Sequence, residues 1–343
     1  MLAPPPLPRN LEASFRDLGS EKAAIRASAI ADVVRHARAD DAIRTRALGA
    51  LKPKLEDASP AVRAAAAIAL GDLDASEHVP ALLLAVDDDD AHVRQMAVNA
   101  LGELEDTRAL PRLRRALGDS RPEMRYQAVI AFARIAGSDP AHADDVGQVL
   151  LDATNDDDDA VVHIALRVAE ERLDAGTAPE PRLVTRGRAL LDPKSPHLAL
   201  VAAIFLAKAG DDAGHALLLR VVRGDKVGEL APDKEDERAA VELVGELELT
   251  AAKPHLEKRA WGVMRFVKDT CPFHARIALA RMGHPRAVAE ILAELEAPKL
   301  DVRAAAVVAA GRARLAQARP AIEKLTKASV DPELVREALE RLP

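Results

Sequence analysis

Cys271 and His274 form a lone C-x-x-H pair, with His255 and His284 near in sequence. Those are the residue types that zinc takes, as thiolate sulfur and imidazole nitrogen in a tetrahedral set. No second pair repeats the spacing, so neither a metal nor a cofactor is expected. Two acidic runs, Asp87–Asp90 and Asp156–Asp159, each precede a helical pattern. The partial positive charge of a helix N-terminus favours carboxylates there. Neither run has the alternating ligands and glycine of a calcium loop. A solvated loop or a docking point for a basic partner is the expectation. Arg108, Arg112 and Arg115 lie at i, i+4 and i+7, within a denser set that includes Arg114, Arg121 and Arg125. A stripe of that kind can hold phosphates or an acidic protein segment. The plain alternative is a solvated helix face.

Trp261–His274 (WGVMRFVKDTCPFH) holds Trp261, Phe266 and Phe273 in a chain with 2% aromatic residues. Such a cluster suits a locally thicker core or a partner-binding hot spot. Catalytic signatures are absent: the sequence has no P-loop, no G-x-S-x-G and no H-E-x-x-H. None of the ten histidines is followed by Glu. No catalytic residue is expected, and the chain reads as a non-enzyme.

The elements that must carry these groups follow from an internal repeat. Asp57, Asp88 and Asp119 stand 31 residues apart, and so do Arg63, Arg94 and Arg125. Val62/Val93/Met124, Ala66/Ala97/Ala128, Ala69/Ala100/Ala131, Leu70/Leu101/Phe132 and Leu73/Leu104/Ile135 keep the same register. Steps of three and four residues mark an apolar helical stripe. Ser59 and Pro60 suit an N-cap and a first helical position. A second helix starts near Val79–Pro80, so two helices fill each 31-residue unit. Gly71 and Gly102 mark either a helix stop or a close approach of the next helix. A fixed period in this range signals a solenoid, whose units bury their apolar faces by stacking.

Composition agrees. Apolar residues make up 49% of the 343, so the core must be mostly Ala, Leu, Val and Ile. The balance of 48 basic against 55 acidic residues, net −7, opposes non-specific nucleic-acid binding. The single cysteine cannot form an internal disulfide. The start, MLAPPPLPRN, lacks a charged region followed by an apolar one. The longest apolar run, Leu198–Ala207, is ten residues, about half a membrane span. A cytoplasmic location is the default expectation.

The pattern D-x-x-x-x-V-R-x-x-A-x-x-A-L-G-x-L at Asp57–Leu73 and Asp88–Leu104, with a looser copy at Asp119–Ile135, resembles a HEAT repeat of the short bacterial kind also found in the phycobilisome-lyase-like group. The resemblance implies an all-α, right-handed α-α superhelix, a HEAT-type solenoid of about nine helix pairs in the armadillo-like class. It also implies a ladder in which Asp57, Asp88 and Asp119 pair with Arg63, Arg94 and Arg125 along the stack. The family spans scaffolds, adaptors, lyases and a few metalloenzymes, so fold does not fix chemistry. Its di-iron hydroxylase branch uses His-Glu pairs, which this chain lacks. The pattern weakens downstream, with long connections expected at Gly176–His197 and Gly224–Glu237.

These readings give a Pro-rich tail over residues 1–9 and one continuous solenoid over 10–343. That solenoid is most regular at 57–136, irregular at 155–237, and closed by a capping helix at 331–342. The function expected is a non-catalytic scaffold or adaptor for a protein partner with an extended or acidic segment. Arg108, Arg112 and Arg115 would meet acidic groups, and Trp261, Phe266 and Phe273 would supply an apolar anchor. A lyase-like or cofactor-handling enzyme is the first alternative and a nucleic-acid-binding repeat protein the second.

Overall fold

A computed structural model describes residues 9–137, 139–192, 195–227, 233–325 and 330–343. The Pro-rich stretch of the N-terminal tail lies outside them. Packing divides the chain into two compact units, Met1–Ala169 and Glu170–Pro343. Among the described residues the elements are helices, with no strand.

The first unit opens with α1 (Leu11–Asp17). Pairs follow as α2 (Ala23–Ala37) with α3 (Asp41–Leu51), α4 (Pro60–Asp72) with α5 (Val79–Ala85), α6 (Ala91–Leu104) with α7 (Leu110–Ala116), and α8 (Pro122–Gly137) with α9 (Ala143–Ala153). The long helix α10 (Asp159–Asp174) runs across the division at residue 169. The second unit continues with α11 (Pro181–Ala189), α12 (Pro196–Lys208), α13 (His215–Arg223), α14 (Lys234–Glu246), α15 (Lys253–Trp261), α16 (Pro272–Arg281), α17 (Pro285–Glu294), α18 (Leu300–Arg312), α19 (Arg319–Leu325) and α20 (Pro332–Arg341). Among the described residues this makes nine helix pairs, α2/α3 to α18/α19, flanked by α1 and α20.

Each repeat follows from its apolar register. Val62, Ala66, Ala69, Leu70 and Leu73 are all buried, as are Met124, Ala128, Ala131, Phe132 and Ile135 two periods on. The second helices are short, α5 burying Val79, Leu82 and Ala85 and α7 burying Leu110, Leu113 and Ala116.

The glycines settle the choice between stop and contact. A Cβ at Gly102 would stand 2.9 Å from Ala131 Cβ, and one at Gly245 only 2.5 Å from Ala278 Cα. Both positions therefore exist for backbone approach between successive first helices. The stop comes three residues later, where Glu105 and Glu248 take left-handed φ of 51° and 52°. Asp74 and Arg314 occupy the same place after Gly71 and Gly311. After Asp74, the Ala75 N–H donates to Leu70 O at 3.0 Å, closing the helix in the Schellman manner.

Two connections differ from expectation. Gly176–His197 is not one long loop, because residues 181–189 form α11. Pro181 sits in its first turn and the Glu180 carboxylate accepts the Leu183 N–H. Only Leu183 and Gly187 of this helix are buried, so its arginines disguise it as a linker. The ten-residue run Leu198–Ala207 in α12 is buried on every side. A helix apolar all round belongs in an interior, which is why its repeat stripe fades. Part of Gly224–Glu237 lies outside the described residues, and α14 begins within it at Lys234.

Candidate functional site

In the first unit the Asp/Arg register organises the loops. Arg26 Nε and Nη2 donate to Asp57 Oδ2 and Oδ1 at 2.8 and 2.6 Å. Arg63 grips Asp88 in the same two-pronged way, at 2.8 and 2.7 Å, and reaches Asp89 at 2.8 Å. Arg125 repeats this on Asp156 at 2.7 and 2.6 Å and on Asp157 at 2.7 Å. Each arginine also donates to the carbonyl six residues before it: Arg26 to Ser20, Arg63 to Asp57, and Arg125 to Asp119. Each aspartate in turn accepts the N–H two residues on, as Asp88 does from Asp90 at 2.8 Å. One guanidinium thus joins its own loop to the next. The pairing depresses the carboxylates: Arg26 holds Asp57, and Arg125 holds Asp156, below the ordinary aspartate range.

One expected rung is not made. Arg94 donates to the carbonyls of Asp88 and Asp89, at 2.8 and 3.2 Å, and no ion pair joins it to Asp119 among the described residues. The Asp119 carboxylate accepts the Arg121 N–H. Arg121 stands two residues after Asp119, where the gripped aspartates Asp57, Asp88 and Asp156 are followed by Ser59, Asp90 and Asp158. The acidic runs are therefore largely internal acceptors. Asp90 additionally caps α6 by accepting from His92 and Val93.

The arginine stripe does not present free charge. Arg108 lies on Asp106 through three hydrogen bonds, Arg112 pairs with Asp87, and Arg115 lies 3.9 Å from the same Asp87 carboxylate. Arg114 pairs with Asp145 at 3.0 Å. Expected as a basic face for acidic groups, the stripe is matched by carboxylates from neighbouring loops, because the repeat brings Asp87 and Asp106 alongside α7. A matched surface pair is worth under about 1 kcal/mol, and its charge is largely spent.

In the second unit the aromatic segment separates into three fates. Phe273 packs against the apolar core and is half-buried. Trp261 is also half-buried: its Nε1 donates to Glu290 at 2.9 Å, Arg286 stacks 4.2 Å over its ring, and His284 tilts against it at 5.3 Å. These two of the expected anchors are committed within the fold. Phe266 is 77% exposed, in a one-turn 3-10 segment Val263–Phe266. Around it Val263 is 78% exposed, Met264 47% and Val267 77%. Four large apolar side chains within five residues thus face solvent.

The turn is carried on a buried clamp that the sequence does not announce. Arg259 is buried, with Nε and Nη2 donating to Val222 O and Val221 O, both at 2.7 Å. Its Nη1 reaches Glu237 at 2.8 Å and Thr270 O at 3.2 Å. Thr270 Oγ1 donates back to Arg259 O at 2.7 Å. Residues 259 and 270 are thereby tied across the base of the exposed turn. A cavity of about 550 Å³ opens beside it, with the exposed Val263 and Met264 in its lining and the buried Val221 and Val222 at its edge.

Cys271 and His274 have separate roles. Cys271 is buried at the N-cap of α16, and burial pushes its thiol pKa up. His274 Nδ1 meets Glu242, which Arg312 also contacts at 3.1 Å, while His284 meets Glu257 at 3.2 Å. Among the described residues, no three His, Cys, Asp or Glu side chains gather as a metal site. No described helix is long and apolar enough to cross a membrane.

A family model of HEAT repeats matches residues 17–98, 48–133 and 79–171. No curated protein matches the sequence. Among solved structures, the chain is similar to the CpcE–CpcF complex of phycocyanin lyase from Nostoc sp. PCC7120, at 20% identity over 75% of this chain and 96% of that one, with TM-score 0.45. It is similar to importin beta at 14% identity over 97% of this chain and 51% of that one, TM-score 0.48. A structure of Kap95p with RanGDP matches at 13% identity over 95% of this chain and 49% of that one, TM-score 0.50. The likeness to Kap95p is one of fold. Residues 17–171 are thus HEAT repeats, and the second unit continues with the same succession of paired helices.

Proposed function

We propose that this chain is a non-catalytic scaffold that binds a protein partner through the exposed turn of its second unit. The observation that carries this reading is the group Val263, Met264, Phe266 and Val267, all exposed. The other exposed large apolar side chains among the described residues, Ile68, Leu84 and Leu300, stand singly, whereas here four share one turn. Contiguous exposed apolar side chains of this kind mark interaction sites. The Arg259–Thr270 clamp supports it, because a turn fixed in advance lowers the ordering cost of association. Large apolar side chains at the centre of an interface carry most of its binding energy.

Native mass spectrometry of the tagged protein, isolated gently from its source cells, tests this. The expected result is a stoichiometric second polypeptide that is lost from Phe266→Ser while the variant remains folded. A bound small-molecule mass in place of a polypeptide, or a polypeptide retained undiminished by Phe266→Ser, would overturn the reading.

A further inference from the structure

Building on that scaffold reading, we propose that the cavity beside the exposed turn selects an acidic segment of the partner, whose apolar side chain rests on Phe266 and Val267. The cavity's charge runs against that of the molecule. The chain as a whole carries −7, yet six cationic side chains line this one space: Arg223, Lys226, Lys234, Lys258, Arg259 and Lys268. Three carboxylates oppose them: Asp225, Glu237 and Asp269. Glu237 is already taken by Lys234 and Arg259, each at 2.8 Å, and Asp269 lies 3.5 Å from Arg238. Arg223, Lys226, Lys258 and Lys268 make no ion pair among the described residues. This is the reverse of the α7 stripe, where Arg108, Arg112 and Arg114 each have a carboxylate.

The apolar wall of Val263 and Met264 and the unspent cations come from different segments: α13 and the residues just after it, α15, and the turn that follows. The cavity therefore offers carboxylate recognition at its rim and apolar burial beside it. A polypeptide suits both parts at once, since acidic side chains can flank one large apolar residue in an extended segment. Potentials of opposite sign would steer the encounter and suppress basic competitors.

Isothermal titration calorimetry on the full chain tests this with defined heptapeptides. One has six glutamates around a central phenylalanine, one has six lysines around it, and one has alanine in place of the phenylalanine. The glutamate–phenylalanine peptide should bind about tenfold tighter than either relative, and more weakly as salt rises. Lys258→Glu/Lys268→Glu, both exposed positions, should weaken it about tenfold, as two surface pairs of under 1 kcal/mol each allow. Lys226→Glu should weaken it less but in the same direction. Equal binding of the acidic and basic peptides, or an affinity unmoved in all the lysine variants, would overturn the proposal. So would citrate binding as tightly as the peptide, which would make the cavity a small-anion site. A Phe266-dependent partner found by native mass spectrometry alongside a failed peptide titration would overturn the acidic assignment alone and leave the scaffold reading standing.

Discussion

The two units solve the same packing problem with different polar fastenings. In Met1–Ala169 one device recurs in α2, α4 and α8: an arginine closes its own loop and grips an aspartate of the following one. In Glu170–Pro343 Arg303 keeps the carbonyl half of it, donating to Ala297 O at 2.7 Å, six residues before it. There the fastenings are individual. Lys208 bridges Glu170 and Asp174, at 2.8 and 2.7 Å, and Arg259 is clamped among backbone carbonyls. The regular unit spends its arginines on carboxylates and leaves little for a partner. Freed from the register, the second unit displays an apolar turn and a surplus of cations. Regularity here serves architecture, and its interruption makes room for recognition.

The largest effect that sharpens this contrast comes from backbone approach, which both units share. Gly245→Ala forces a Cβ against Ala278 and should cost about 2–3 kcal/mol, as overpacking does, in urea unfolding. Gly102→Ala should cost somewhat less, in line with the looser 2.9 Å contact to Ala131. Hydrogen-exchange protection should fall most in the unit that carries each change. A neutral Gly245→Ala would mean the helices can part freely.

Next are the rungs. Arg125→Ala removes bonds to two carboxylates and a carbonyl, and should cost about 1–3 kcal/mol, the range for hydrogen bonds to charged groups. Arg94→Ala removes only carbonyl bonds and should cost less than about 1 kcal/mol. Arg35→Ala serves as a control outside the register. Equal losses for Arg125 and Arg94 would show that the guanidinium–carboxylate contacts contribute nothing beyond the loop carbonyl.

The same rungs predict an acid branch. Asp57 and Asp156 have folded-state pKa values below their unfolded ones, since Arg26 and Arg125 favour the ionised form. Their contribution is complete above the unfolded value, about pH 4, and is lost as pH falls through the lowered folded values. Urea midpoints measured from pH 6 down to pH 3 should therefore fall below about pH 4. Arg125→Ala should flatten that fall. An unchanged acid branch in the variant would disconnect the ladder from acid stability.

The smallest effect is expected at the matched stripe. Arg108→Ala should leave both unfolding and partner binding unchanged, because Arg108 and Asp106 already satisfy each other at the surface. A loss of partner binding there would return the candidate interface to the first unit.

Much of the architecture was legible in the sequence because period, apolar steps and turn residues all repeat: Asp57/Asp88/Asp119 and Leu70/Leu101/Phe132 mark the same places in three helices. What was hidden had lost its contrast. Helix α11 buries only Leu183 and Gly187, so its arginines read as linker. Helix α12 is buried on all sides, so it has no stripe. Composition picked out Trp261–His274, but it could not say that Trp261 and Phe273 turn inward while Phe266 turns out. Arg259 looks like any surface arginine until α13, α14 and the stretch at Thr270 fold around it. Lys226, Lys258 and Lys268 gather only in three dimensions, and no spacing announces them. The carboxylates that meet the arginine stripe are equally hard to read from spacing, since Asp87 and Asp145 come from other segments and only Asp106 from its own.

Site-specific photocrosslinking distinguishes the two units most directly as the partner-binding surface. A photoreactive residue placed at Phe266, and in a parallel chain at Arg112, would be activated in the source cells. A discrete covalent protein adduct is expected from position 266 and none from position 112. An adduct at 112 alone, or no protein adduct at 266, would contradict the assignment of recognition to the second unit.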